Sequence, residues 1–407
     1  MGIRALRSDG GFRKAGHPRS LIAALIHFDV SFMCWVLLGA LGAYIAKDLG
    51  LSSAQKGLMV AIPPLGGSVF RLILGPLADR VGMKRLGMAT LAFTAVPLIV
   101  GATVATSFPM VLFTGALLGV AGSSFTVALP IASRWYPPEY QGIALGIAGA
   151  GNSGTVIASL VAPRVAEHIG WHGAFALALL PLTAAWIAFF ILAKEPPRPK
   201  SASKVGIRSL LKISDARWLC LFYATTFGGF VGLSSYLSIF FVDRFDVTKV
   251  TAASYAAMCA VAGSLLRPVG GALGDRFGGT KVLTYALAVA SLLAAGLAAL
   301  PGLVLTLVAL ALLLGILGMG NGAVFQVVGV RMPGQVGAMT GLVGAAGGLG
   351  GFALPFLFGW LQGSTGTFAM SFVVVCAAFT GGLVAVSTRH RKWSLRAKAS
   401  PVAFVPS

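Results

Sequence analysis

The sequence predicts an all-α membrane protein of twelve transmembrane helices, arranged as two pseudo-symmetric halves of six. Three observations lead there: an apolar composition, twelve stretches of membrane-crossing length, and motifs that recur between the halves. The 407 residues are 57% hydrophobic and 10% charged, with a mean hydropathy of +0.88. An ordinary soluble domain carries about a quarter charged residues. Such a chain belongs in lipid, where every backbone donor and acceptor needs an internal partner and helices joined by short loops supply it.

Crossing about 30 Å of hydrocarbon at about 1.5 Å per residue takes about 20 residues. Apolar stretches of that order run over 20–46, 56–78, 87–106, 109–134, 142–165 and 172–193, then 218–242, 251–274, 282–300, 303–330, 336–360 and 366–388. Residues 1–19 are basic, but the run that follows exceeds the h-region of a signal peptide, at about 7–15 residues, and reads as an uncleaved first span. The segment 194–217, with three prolines and seven Lys/Arg, is the long polar interruption. It divides the chain into a head 1–19, a half 20–193, a basic linker 194–217, a second half 218–388 and a tail 389–407.

The formal charge of +20 could suggest a nucleic-acid partner, but its location argues otherwise. Alternating the loops places 24 of the 31 Lys/Arg in the termini, the linker and the other even-to-odd loops, and five (Lys47, Lys56, Arg164, Arg244 and Lys249) on the opposite side. The positive-inside rule then sets both termini in the cytoplasm of a cell inner membrane, with the bilayer as partner and no nucleic acid. Cys34, Cys220, Cys259 and Cys376 are isolated within apolar runs, so neither a disulfide framework nor a metal site is expected. No enzymatic signature such as HExxH, GxSxG or a P-loop is present, and no cofactor is expected.

Several residues repeat. RLILGPLADRVG at 71–82 matches RPVGGALGDRFG at 267–278, and Gly122 and Phe125 recur as Gly322 and Phe325. Parallel six-span repeats indicate a transporter with its substrate site between the halves near the midplane. The loop motif Gly75, Leu77, Asp79, Arg80 and Gly82, its copy at 271–278, and the twelve spans resemble the major facilitator superfamily. That resemblance gives Asp79, Arg80, Asp275 and Arg276 a gating or structural role.

Arg71 lies eight residues before Asp79, about 12 Å into the membrane, and Arg267 lies equally deep. A charge at that depth costs at least about 2.5–3.5 kcal/mol and marks function. Ten of the eleven acids fall in loops or at span ends, leaving Asp29 within a span. One acid cannot neutralise two arginines, so the pair makes a cavity that an anion completes. Guanidinium forks suit flat oxyanions.

Span five reads GIALGIAGAGNSGTVIASLVAP, and span eleven echoes it in GLVGAAGGLGGFALP. The run from Ala148 to Gly154, with Gly149, Gly151, Asn152 and Gly154, resembles the nitrate signature of the nitrate/nitrite porter family. Gly344, Gly347 and Gly348 belong to its echo, which lacks the amide. Gly318, Gly320, Asn321 and Gly322 in span ten and YATTF at 223–227 fit the same resemblance, while Gln141 departs from the arginine common in the wider superfamily. The resemblance implies that Arg71 and Arg267 clamp nitrate, that Asn152, Asn321 and Tyr223 assist, and that Phe125 and Phe227 sandwich the ion.

Nitrate is fully ionised, and moving it into a negative interior costs about 2.3 kcal/mol per 100 mV. Two couplings fit: assimilatory uptake with more than one proton, or exchange for nitrite. Asp29 is the proton-coupling candidate, poised near an arginine, and the transporter is expected to be monomeric. A carrier of another small anion such as formate or oxalate is the alternative substrate class. A non-transporting nitrate sensor is the alternative of a different class, but head and tail offer it no output domain.

Overall fold

The computed structural model describes residues 11–197, 207–332 and 335–399. Among the described residues there is no strand. Among these same residues ten helices are long and apolar enough to cross a membrane. One of these, Ala144–Leu192, is 49 residues long and breaks at Gly170, whose φ of 75° and ψ of 167° lie outside helical space. Only glycine adopts that conformation without strain, so spans five and six are two helices meeting end to end. Span one is in pieces, Pro18–Trp35, Leu37–Ala40 and Gly42–Asp48. Twelve spans result.

The remaining spans are Ser53–Val81, Met83–Thr103, span four as Phe108–Gly122 and Phe125–Arg134, then Ser214–Phe245, Lys249–Phe277, Gly279–Ala298, Leu303–Arg331, Val336–Thr365 and Ala369–Ala399. Most helices overrun the apolar stretches by a few residues, because polar end residues still complete the backbone ladder. The twelfth continues well beyond residue 388 and buries Trp393, whose indole donates to Asp215 at 3.0 Å.

The repeat is visible in backbone geometry. Gly82 and Gly278 close the loops after spans two and eight with φ of 96° and 91°. The helices that follow are capped differently. Glu195 accepts from the Met83 and Lys84 amides at 2.8 and 2.9 Å, whereas Gln326 accepts from Gly279 at 3.0 Å. A carboxylate at a helix N-terminus also complements the helix dipole.

The halves meet where span two packs on span eleven, span five on span eight, and span one on span seven. Small residues permit the approach. A Cβ at Gly57 would lie 2.8 Å from the Gly359 Cα, and one at Gly39 would lie 2.8 Å from the Ser235 carbonyl oxygen. These contacts lie toward the side opposite the termini, here the far side. Toward the terminal side, a Cβ added at Gly75, Gly146 or Gly341 would have no neighbour within 4 Å. The cleft between the halves is therefore shut on the far side and open on the terminal side.

Three far-side basic residues fasten that closure. Lys56 of span two bonds both Asp243 oxygens of span seven at 2.8 Å, the one ion pair among the described residues. Arg164 of span five donates to Ser254 of span eight at 3.1 Å, and Lys249 sits 4.3 Å from the Tyr44 ring. Lys56→Met should open the far side more often. A partly exposed pair contributes up to about 1 kcal/mol, so labelling of a cysteine at the far-side cleft should rise about fivefold, and unchanged labelling would exclude a latch.

Candidate functional site

Arg71 is fully buried, at 1% exposure, and it is held by carbonyls. Span four breaks after Gly122, which leaves a helix-end carbonyl without a backbone partner. Arg71 Nε and Nη2 donate to it at 3.0 and 2.7 Å. Nη1 donates across to the other half, to the Gly344 carbonyl at 2.5 Å. The guanidinium carbon lies 5.4 Å from the Trp35 ring centroid, 5.7 Å from Phe125 and 5.5 Å from Phe227. Such faces stabilise a cation in a desolvated site.

Arg267 faces the same ring from the other half, 5.7 Å from Phe125, and lies 5.9 Å from Phe325. Its Nη2 donates to the Tyr223 hydroxyl at 3.3 Å, and its Nη1 is buried without a partner. Tyr223 stacks on Phe227 at 4.8 Å and meets Phe325 edge-on at 5.0 Å. The two guanidiniums thus share Phe125, and neither is paired with a carboxylate among the described residues. The pair is unequal: each Arg71 nitrogen donates to a backbone oxygen, while Arg267 Nη1 is a buried donor without a partner.

Asn152 lies in a 3-10 turn, Ala150–Ser153, that interrupts span five. Both Asn152 and Asn321 are buried at 1% exposure, and the side-chain oxygen of each lacks a partner. Buried polar atoms are normally satisfied, and each of these oxygens is an acceptor that calls for a donor such as water rather than an anion. Gly151 and Gly154 press the turn onto span one: a Cβ at Gly151 would meet Phe28 at 2.8 Å, and one at Gly154 would meet Met33 N at 2.7 Å. Gly344 borders Arg71 and Phe125, Gly347 borders Tyr223 and Phe227, and Gly348 borders Ser68. Gly149 has no such neighbour.

Asp29 is half-buried and accepts from the Ser153 hydroxyl at 2.5 Å. The expected arginine partner is not there: the groups acting on its carboxyl are Ser153 and the Gly154 amide. Arg71 instead donates to the Gly122 and Gly344 carbonyls. Arg80, Asp275 and Arg276 are exposed at the terminal-side loops, away from the arginine pair; the side chain of Asp79 lies outside the described residues.

Comparison with known proteins identifies the family. The Major Facilitator Superfamily model matches residues 23–355. A probable nitrate/nitrite transporter, NarK2, from Mycobacterium tuberculosis is 34% identical over 354 residues, covering 84% of this chain and 89% of that protein. A probable nitrate/nitrite antiporter, NarK1, from Thermus thermophilus is 32% identical and covers 88% of each. The chain belongs to the nitrate/nitrite porter family of the major facilitator superfamily. A nitrite extrusion protein from Bacillus subtilis is 30% identical, covering 90% of this chain and 92% of that one. In fold, a bacterial homologue of the lysosomal transporter Spinster, in its inward-facing unoccupied conformation, aligns with a TM-score of 0.68 at 19% identity, covering 91% and 93% of the two chains.

As a member of this porter family the protein is a multi-pass transporter and not an enzyme. Its site also contains residues that sequence reasoning passed over. Phe325 lies against Arg267 and Tyr223, and the pairing of Phe125 with Phe325 in the repeat was the signal for it. Trp35, with its indole donating to the Pro63 carbonyl at 2.8 Å, had no signal beyond its aromatic character. Ser153 was overlooked because its role depends on which face of span five meets span one.

Proposed function

We propose that this porter carries nitrate, and nitrite with it, across the cell inner membrane by alternating access of its two halves. The observation that supports this best is the pair of guanidiniums, Arg71 and Arg267, set over one Phe125 ring at 5.7 Å each, with no acid paired to either among the described residues. Two like charges in a low-dielectric site repel each other, and a monovalent anion between them relieves that repulsion. Nitrate is flat and weakly hydrated, so charge-assisted bonds from Arg267 Nη1, Tyr223 and Arg71, with Phe125 and Phe227 on its faces, offset its desolvation. In this reading the side-chain amide nitrogens of Asn152 and Asn321 also donate to the ion. The relatives named for nitrate and nitrite transport support the substrate.

In this reading the basic side with both termini and linker is cytoplasmic, the cleft opens inward, and the protein works as a monomer. The loop residues Asp79, Arg80, Asp275 and Arg276 serve gating. Uptake for assimilation is driven by protons, with Asp29 as the titrating group. Exchange for nitrite is the second reading, favoured by the unpaired arginines: an empty cleft holding both charges closes less readily than one holding an anion. Counterflow in proteoliposomes separates the two. Labelled nitrate accumulating with a pH gradient and without internal nitrite establishes symport, entry only against internal nitrite establishes exchange, and no movement in either case overturns the substrate.

A further inference from the structure

The Ser153 hydroxyl lies 2.5 Å from an Asp29 carboxyl oxygen and 2.8 Å from the Ala150 carbonyl oxygen. Both are acceptors when Asp29 is ionised, yet a hydroxyl has one proton to give. The charged acceptor makes the stronger bond, so an ionised Asp29 accepts the hydroxyl's hydrogen bond and Ala150 goes without it. A protonated Asp29 instead donates its own O–H to the Ser153 oxygen, and the hydroxyl turns to Ala150. Ala150 and Ser153 are the ends of the 3-10 turn that carries Asn152.

That turn has no slack to absorb the change. Gly151 abuts Phe28, and Gly154 abuts the Asp29 and Met33 backbone, so the turn rides on span one beside the carboxyl. The buried Asn152 oxygen has no partner to hold it. Among the described residues no other charge competes for Asp29. Lys84 and Arg85 of span three, Arg134 of span four and Arg164 of span five lie on helices packed against span one, and none acts on it. His27 turns instead to Thr90 and Phe189. Ser153 is exposed and Asp29 half-buried, and a carboxyl at this depth faces a water-filled cleft rather than hydrocarbon.

We propose that Asp29 is a positioning residue of the anion site, acting through the single proton of Ser153 on the turn that presents Asn152, so that a proton on Asp29 and an anion at Asn152 favour each other. The proton comes from cleft water and returns to it, and only the two hydrogen bonds change hands. The inference rests on the reading of Asn152 as an anion ligand and adds a route by which protonation reaches it. Linkage makes the coupling reciprocal.

The test is nitrate affinity of the purified full-length protein between about pH 5 and pH 8, a range spanning titration of a desolvated carboxyl. Wild type should bind nitrate at least about fivefold more tightly at the acid end, the lower limit of ordinary coupling between sites. Asp29→Asn and Ser153→Ala should both flatten the profile, and Ser153→Thr, which keeps the hydroxyl, should restore it; thermal melting of each variant checks the fold. A Ser153→Ala variant with the wild-type profile would overturn the relay, leaving Asp29 acting by charge alone. Wild-type affinity that is independent of pH overturns the relay but not the anion reading, whereas wild type that binds no nitrate at any pH overturns both.

Discussion

Arg267→Ala and Arg267→Lys should each reduce nitrate counterflow by more than about 100-fold, as expected when a bidentate charge-assisted contact worth about 3 kcal/mol is lost, while the melting temperature stays close to that of wild type. The side chain makes one long hydrogen bond, to Tyr223 at 3.3 Å, so its removal orphans little. Arg71→Ala should abolish counterflow equally and also lower the melting temperature. Its three donors engage the buried carbonyls of Gly122 and Gly344, and the helix-end Gly122 carbonyl, left unsatisfied, costs about 1–3 kcal/mol. The second of these bonds crosses between the halves, so its loss weakens the interface as well as the half. Lysine should not rescue either position, because a single ammonium cannot reproduce a planar fork. Counterflow with melting on the same preparations decides both points. Wild-type transport by Arg267→Ala would remove it from the site, and an unchanged melting temperature for Arg71→Ala would show that the carbonyl clamp contributes nothing to stability.

The fold was legible in the sequence because lipid leaves few choices: twelve apolar runs each had to become a helix. The break at Gly170 was legible, since it falls in the gap between the apolar runs 142–165 and 172–193. The turn Ala150–Ser153 was not, because it falls inside an apolar run and hydropathy is blind to a shift from α to 3-10 bonding. Among site residues, Arg71 and Arg267 were the most legible, since a charge at mid-depth has no cheap structural explanation. The aromatic groups were less so. Phe125, Phe227 and Phe325 are three among 26 phenylalanines, and only helix rotation distinguishes those facing the arginines from those packed in the core. The placement of Asp29 beside an arginine failed for a related reason. Depth along the axis predicts which residues are level, but the partner is chosen by azimuth, and span one turns Asp29 to Ser153 of span five.

Gly341→Leu should produce a protein that folds and melts like wild type but transports at least about tenfold more slowly, a change equivalent to about 1.4 kcal/mol against the closed state. In the present conformation Gly341 has open space where a side chain would grow, as do Gly75 and Gly146. The far side shows what closure demands. There Gly57 and Gly359 sit so close that a Cβ on either would lie 2.8 or 2.7 Å from the Cα of the other. Span two meets span eleven at that end, and the terminal ends of the same helices carry Gly75 and Gly341. A swing that shuts the terminal side must bring these two together, and a leucine blocks it. Gly347 provides the contrast. A Cβ there would lie 2.6 Å from the Tyr223 ring and 2.8 Å from the Phe227 ring, so Gly347→Val disrupts the site in the conformation already present and should abolish nitrate binding as well as transport. Binding therefore separates the two classes: Gly341→Leu should bind nitrate and fail to move it, and Gly347→Val should do neither. A Gly341→Leu protein with wild-type counterflow would mean that spans two and eleven do not close on this face.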